Sequence, residues 1–107
     1  MEAAVPTLSL TVEDGIPPLL KVSGEADFQN RDRIYNAVRE LMERGSRTVR
    51  TDLSEVSHLD SGALATLVRC ANEALEAGGS LELTGASAQV CRILTQCGAA
   101  ALFRCCL

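Results

Sequence analysis

The chain of 107 residues has very few aromatic side chains: no tryptophan, one tyrosine (Tyr35) and two phenylalanines (Phe28 and Phe103). Too few rings are present to build a platform on which bases could stack. It carries fourteen acidic against ten basic side chains, a formal charge of −4, and so lacks the basic stripe that tracks a phosphate backbone. Nucleic acid is therefore not an expected partner. No apolar run approaches the ~20 residues a bilayer span needs, so membrane insertion is not expected. Met1-Glu2-Ala3-Ala4-Val5-Pro6 shows neither the basic nor the apolar region of a secretory signal, and the expected location is the cytoplasm. Histidine occurs once, as His58, and the five cysteines (Cys70, Cys91, Cys97, Cys105 and Cys106) contain no CxxC pair. That spacing fits no zinc template, and the thiols read as small reduced hydrophobes. GxGxxG, GxxxxGK[ST] and GxSxG are all missing, which removes the familiar phosphate-cradling loops and the hydrolase elbow. Neither a cofactor nor a metal site is expected.

What remains is an ordinary soluble balance, 47% hydrophobic and 22% charged, in a chain long enough for one core and not for two. Residues 1–107 are expected to form a single domain. Leu8, Leu10 and Val12 alternate with Ser9, Thr11 and Glu13, a strand with one wet face. Asp14-Gly15 turns the chain, Pro17-Pro18 holds it extended, and Leu20-Lys21-Val22-Ser23 returns as a second strand ending at Gly24. From about Asn30 the period lengthens, with Ile34, Ala37, Val38, Leu41 and Met42 on one helical stripe closed by Gly45. Val49, Thr51 and Leu53 predict another strand, and Leu64, Leu67, Val68, Ala71 and Leu75 a second helix ending at Gly78-Gly79. Leu81 and Leu83 predict a further strand, and Val90, Ile93, Leu94 and Cys97 a third helix before Gly98. The apolar tail Ala101-Leu102-Phe103, with Cys105 and Cys106 beyond it, leaves two uses open, a dimer contact or a cap on the core, and oligomeric state is open with it.

The order ββαβαβα predicts an α/β fold: a mixed, mostly parallel sheet of four to five strands entered by an antiparallel hairpin. Strands buried on both faces would read as continuous apolar runs. These alternate, so the helices are expected mainly on one face.

Functional groups in open α/β sheets gather beyond the carboxyl ends of the strands. Gly24 to Phe28, Asp52 to Gly62 and Gly85-Ala86-Ser87 lie there, and the middle segment holds the only histidine. Asp60 or Ser61 can cap the following helix by accepting from a free N–H of its first turn. Ser61 can also be a phosphate acceptor, since a phosphate at a helix N-terminus meets unpaired N–H groups and the positive dipole end. It would move the domain charge from −4 to roughly −6 without melting the fold. His58, Asp60 and Ser61 are too close in sequence to converge as a catalytic triad, and His58 reads as a solvated or loop-bonding side chain. Asp27 reads as a cap for the next helix or as part of the same rim.

These residues carry a family resemblance. Gly24-Glu25-Ala26-Asp27 resembles a GELD motif after the second strand. Asp52-Leu53-Ser54 through Leu59-Asp60-Ser61-Gly62-Ala63-Leu64 resembles the D-L-S…D-S-(S/T/A)-G-L signature of STAS domains, most like the bacterial anti-sigma factor antagonists. Glycine arrives one place early here, as Gly62-Ala63. Val90, Ile93, Leu94, Gly98, Leu102 and Phe103 resemble the last helical region. The resemblance implies a STAS fold and a non-enzymatic, partner-switching regulator of sigma-factor-dependent transcription. It implies an anti-sigma factor serine kinase as partner, Ser61 as phospho-acceptor, and a PP2C-type phosphatase that restores it. Asp27, Phe28, Ser57, His58, Asp60 and Gly62 are the expected partner-binding rim. Asp60-Ser61-Gly62-Ala63-Leu64 also resembles the segment of STAS proteins that serve as accessory subunits on the ATPase of lipid (Mla-type) ABC transporters, the alternative reading.

Overall fold

Alternation in the first thirteen residues and a 3.6-residue period after Asn30 resolve into strands and helices in a computed structural model that describes residues 7–99 and 103–106. The elements are β1 (Leu8–Glu13), β2 (Leu19–Ala26), α1 (Arg31–Glu43), β3 (Thr48–Leu59), α2 (Ser61–Glu76), β4 (Ser80–Thr84), α3 (Ala88–Gln96) and β5 (Phe103–Cys106). The strands form a five-stranded sheet whose spatial order is the chain order, β1-β2-β3-β4-β5. β1 pairs antiparallel with β2, and every later pairing is parallel. Right-handed crossovers that always step the same way place their helices on one face. The expected mixed sheet with one helical face is what the structure shows.

Burial follows the pleat. Leu20 and Val22 of β2, Val49, Thr51 and Leu53 of β3, and Leu81 and Leu83 of β4 are buried on the helix side. Between them Lys21, Arg50 and Glu82 point the other way, with Arg50 pairing Glu82 at 3.2 Å across adjacent strands. Ile34, Val38 and Leu41 of α1, and Ala63, Leu67, Cys70, Ala71 and Ala74 of α2, complete the core. The small residues on α2 let that helix lie close against α1 and the sheet. Each fully buried Leu or Ile contributes roughly 1.5–3 kcal/mol of transfer free energy.

Several sequence expectations change in detail. The α2 stripe is rotated: Leu75 is exposed, and Thr66, Cys70 and Ala74 are buried instead. On α3 only Leu94 is fully buried, Val90 and Ile93 are half-buried, and Cys97 is exposed at the C-cap. The tail supplies a fifth strand, with Leu81 opposite Phe103 and Leu83 opposite Cys105, and Phe103 is buried as a cap on the core. Met1 to Pro6, Ala101-Leu102 and the side chains of Cys105 and Cys106 lie outside the described residues.

Two strands run longer than their sequence patterns suggest. Gly24 does not end β2; with φ +90° it sits inside the strand at a bulge, and a Cβ there would meet the Thr7 carbonyl oxygen at 2.1 Å. β3 continues through the polar stretch to Leu59, because the pairing with β2 slips twice. From Lys21/Asp52 to Ser23/Glu55, and again from Gly24/Val56 to Glu25/His58, β3 spends one residue more than its partner. Each bulge stretches the apolar period from two to three, giving Leu53, Val56 and Leu59.

Candidate functional site

Bulged β3 delivers Leu59 and Asp60 beside the end of β2, where the Asp60 N–H donates to the Ala26 carbonyl at 3.1 Å. Asp60 is extended and is the N-cap of α2. Its Oδ1 accepts the Ala63 N–H at 2.9 Å, and its Oδ2 accepts the Phe28 N–H at 3.0 Å. One carboxylate therefore ties the start of α2 to the turn before α1. The Ala63 N–H, with smaller help from the Phe28 and Gly62 amides and the charge of His58, holds the Asp60 carboxyl below the usual carboxylate range.

Ser61 is the first residue of α2 and is exposed. Because Asp60 performs the cap, the serine hydroxyl is not spent on it. Gly62 has a steric reason: a Cβ there would stand 3.0 Å from Phe28 Cβ and 3.1 Å from Phe28 Cα. The early glycine thus makes room for Phe28 to lie over the beginning of α2, and Thr66 Oγ1 donates to the Gly62 carbonyl at 3.0 Å one turn on.

On the other side of the site, Asp27 and Asn30 bond reciprocally. The Asp27 N–H donates to Asn30 Oδ1 at 2.8 Å, and the Asn30 N–H donates to Asp27 Oδ1 at 3.0 Å. Asp27 thus closes the turn ahead of α1 rather than capping the helix itself; Asn30 holds the N-cap position and makes no side-chain cap bond. Asn30 Nδ2 also donates to the Glu25 carbonyl at 2.9 Å, so the turn is locked to the end of β2. Phe28, at its crest, is 61% exposed. The Arg31 guanidinium lies 3.6 Å from the centre of the Phe28 ring and donates to the Phe28 carbonyl.

Asp27, Phe28, Asp60, Ser61 and Gly62 are brought together in this way. Ser57 and His58 are exposed on β3 and line a neighbouring feature, with the charge of His58 still acting on Asp60. They line a groove of about 520 Å³ between the end of β3 and α3, with Leu53, Val56 and Leu59 beneath and Ser87 and Val90 opposite. Ser87 caps α3, accepting the Val90 N–H at 3.2 Å. Each Asp60 oxygen accepts one backbone amide, so the carboxylate serves the two turns it joins. Among the described residues, no three His, Cys, Asp or Glu side chains gather as metal ligands. None of the described helices is long and apolar enough to cross a membrane.

Arg31 and Asn30 were not singled out from the sequence. An arginine close after an exposed aromatic can lie over its ring, and that signal could have found Arg31. Asn30 stands where the helical period begins, and asparagine at such a start is a capping signal.

The family model described as "Mlab, STAS domain" matches residues 9–104. The chain belongs to the STAS-domain family. Its fold is that of solved anti-sigma factor antagonists. One from Mycobacterium paratuberculosis superposes with a TM-score of 0.78 at 22% identity, covering 96% of this chain and 89% of that one. The anti-sigma factor antagonist SpoIIAA in its unphosphorylated form gives 0.73 at 16% identity, covering 92% and 89%. The Bacillus cell fate determinant SpoIIAA in its phosphorylated form gives 0.71 at 15% identity, covering 94% and 91%. No curated protein matches the sequence.

Proposed function

We propose that this chain is an anti-sigma factor antagonist that works in the cytoplasm by partner switching. Unphosphorylated, it binds an anti-sigma factor serine kinase and so frees a sigma factor for transcription. The kinase transfers the γ-phosphoryl group of ATP to Ser61 Oγ, releasing ADP and the hydroxyl proton, and the modified protein lets go. A PP2C-type phosphatase hydrolyses the phosphoester and resets the cycle. The chain is a substrate in this scheme, not an enzyme.

The observation that carries this reading is an exposed Ser61 at the first position of α2, left free because Asp60 supplies the cap. A hydroxyl placed there can accept a dianion that the helix N-terminus favours, so modification changes the surface without opening the core. Phe28, packed at the next residue Gly62, supplies the shape a partner would meet. Incubation with a serine kinase of the anti-sigma type and ATP, followed by mass mapping, should place phosphate on Ser61. Binding of that kinase should survive Ser61→Ala and be lost in Ser61→Asp. Phosphate elsewhere, or equal binding by both variants, overturns the reading.

A second reading is favoured by the description of the matching family model, "Mlab, STAS domain". The same surface would then seat on the ATPase of a lipid (Mla-type) ABC transporter as an accessory subunit. Stoichiometric copurification with a membrane ATPase, indifferent to Ser61→Asp, would establish this reading in place of the first.

A further inference from the structure

Arg31 has no part in the fold's core and none in the capping of α2, yet it is held in a defined place at the candidate site. Its guanidinium lies 3.6 Å from the centre of the exposed Phe28 ring and spends one of its five donors on the Phe28 carbonyl. Phe28 is in turn packed against the start of α2, with its Cβ 3.0 Å from where a Gly62 side chain would begin and its N–H on Asp60 Oδ2. Ser61 lies between Asp60 and Gly62 in the chain. Direct contacts therefore join the guanidinium, through Phe28, to Asp60 and Gly62, the two chain neighbours of the residue that carries the hydroxyl. Neighbouring Arg33 is already committed, donating to the Leu8 carbonyl at 2.7 Å on the far side of the turn.

We infer that Arg31 is the internal sensor of Ser61 phosphorylation: a phosphate on Ser61 draws the guanidinium off the Phe28 ring and onto itself. The inference rests on the reading of Ser61 as the phospho-acceptor. A phosphate offers a guanidinium two parallel charge-assisted hydrogen bonds, a stronger partner than the face of an exposed ring. The unphosphorylated site then presents Phe28 and Arg31 stacked as one composite element, flat and cationic on top. The phosphorylated site presents a bare ring beside a phosphate–guanidinium pair that keeps a net negative charge. Regulation thus changes the shape of the docking surface as well as its charge, and a partner selected for the stacked form is refused on both counts. Arg31 acts here as a positioning residue, since it organises Phe28 and the phosphate without taking part in phosphoryl transfer.

The test uses full-length protein with phosphoserine inserted at position 61 during translation, so no kinase is needed. ³¹P NMR titration should give a second phosphate pKa about 0.5–1 unit lower in the phosphorylated wild type than in phosphorylated Arg31→Gln. Phosphorylation should also shift the Phe28 ring protons in the wild type and leave them in place in Arg31→Gln. Arg31→Lys should recover part of the titration shift, by charge, without restoring the stacked ring signature in the unphosphorylated protein. Equal titrations in wild type and Arg31→Gln, or a ring response independent of residue 31, overturn the inference. Failure of the partner-switching reading would show elsewhere, in a kinase that ignores Ser61 or a partner indifferent to its phosphorylation, and would leave this titration unchanged.

Discussion

The side chain of Asp60 accepts the backbone N–H of Phe28 at 3.0 Å across 32 residues of sequence, while its other oxygen caps α2 at Ala63. The phospho-acceptor candidate and the exposed aromatic are held in register by that single carboxylate. Asp60→Ala should therefore speed amide exchange at both Phe28 and Ala63. Asp60→Asn keeps one acceptor oxygen, which can serve the cap, and should release Phe28 alone. Hydrogen-exchange NMR on the two variants reads the difference directly.

Gly62→Ala tests the contact between Phe28 and α2. Alanine improves helix propensity by up to about 1 kcal/mol, but its Cβ would press on Phe28. Stability in urea should change by less than about 1 kcal/mol, because the two effects oppose one another. Phe28 resonances should move, and affinity for the partner should fall. A variant with wild-type Phe28 signals would show that the close approach is not needed.

Thr51 is fully buried on β3, and its hydroxyl has no hydrogen-bond partner among the described residues. Replacing it with valine keeps the branched shape and removes the unpaired group. Thr51→Val should raise stability by about 1–2 kcal/mol, seen as a higher urea midpoint at unchanged slope.

Among the described residues, three carboxyls are held below their usual range. Asp52 is lowered first by the Ser54 amide, Asp60 by the Ala63 amide, and Glu73 by the Tyr35 hydroxyl, which donates at 2.7 Å. Each stays ionised in the fold to lower pH than in the unfolded chain. The stability they provide is complete above roughly pH 5, where the unfolded carboxyls are also ionised, and fades as pH falls through and below about 4. Urea midpoints measured from pH 6 down to pH 3 should decline across that window, and Glu73→Gln should flatten part of the decline.

Burial pushes the Cys70 thiol up to about 12. It stays protonated where an exposed thiol ionises, so stability should drop as pH rises above about 8.5, the ordinary thiol value. In native protein at pH 8, iodoacetamide should label exposed Cys97 and spare Cys70 until urea opens the fold. Peptide mapping of the label checks both.

The legible parts of the sequence were those in which one period runs unbroken. Ile34, Val38 and Leu41 announce α1, and Leu81 and Leu83 announce β4, because a helix or strand with one wet face must repeat its apolar residues at its own pitch. The far half of β3 shows no strand pattern in the sequence, since two bulges turn its period from two into three and fill the gaps with Ser54, Glu55, Ser57 and His58. The fifth strand of the expected four to five is not placed by the sequence, because four residues are too few to show a period. At the site, Asp60 and Ser61 stood out by their place before a helix. The division of labour between them, acid as cap and hydroxyl left free, depends on which oxygen reaches Ala63, and that is a matter of backbone angle. The groove that Ser57 and His58 line beside α3 has the same origin, because it depends on the path of bulged β3.

The match between spatial and sequential strand order bears on how the molecule is made. Each new strand lies against the one synthesised just before it, so a chain emerging from the ribosome N-terminus first always has a formed edge on which to add the next. None of the described strands waits for a distant partner still unmade, and the sheet grows at one of its two edges.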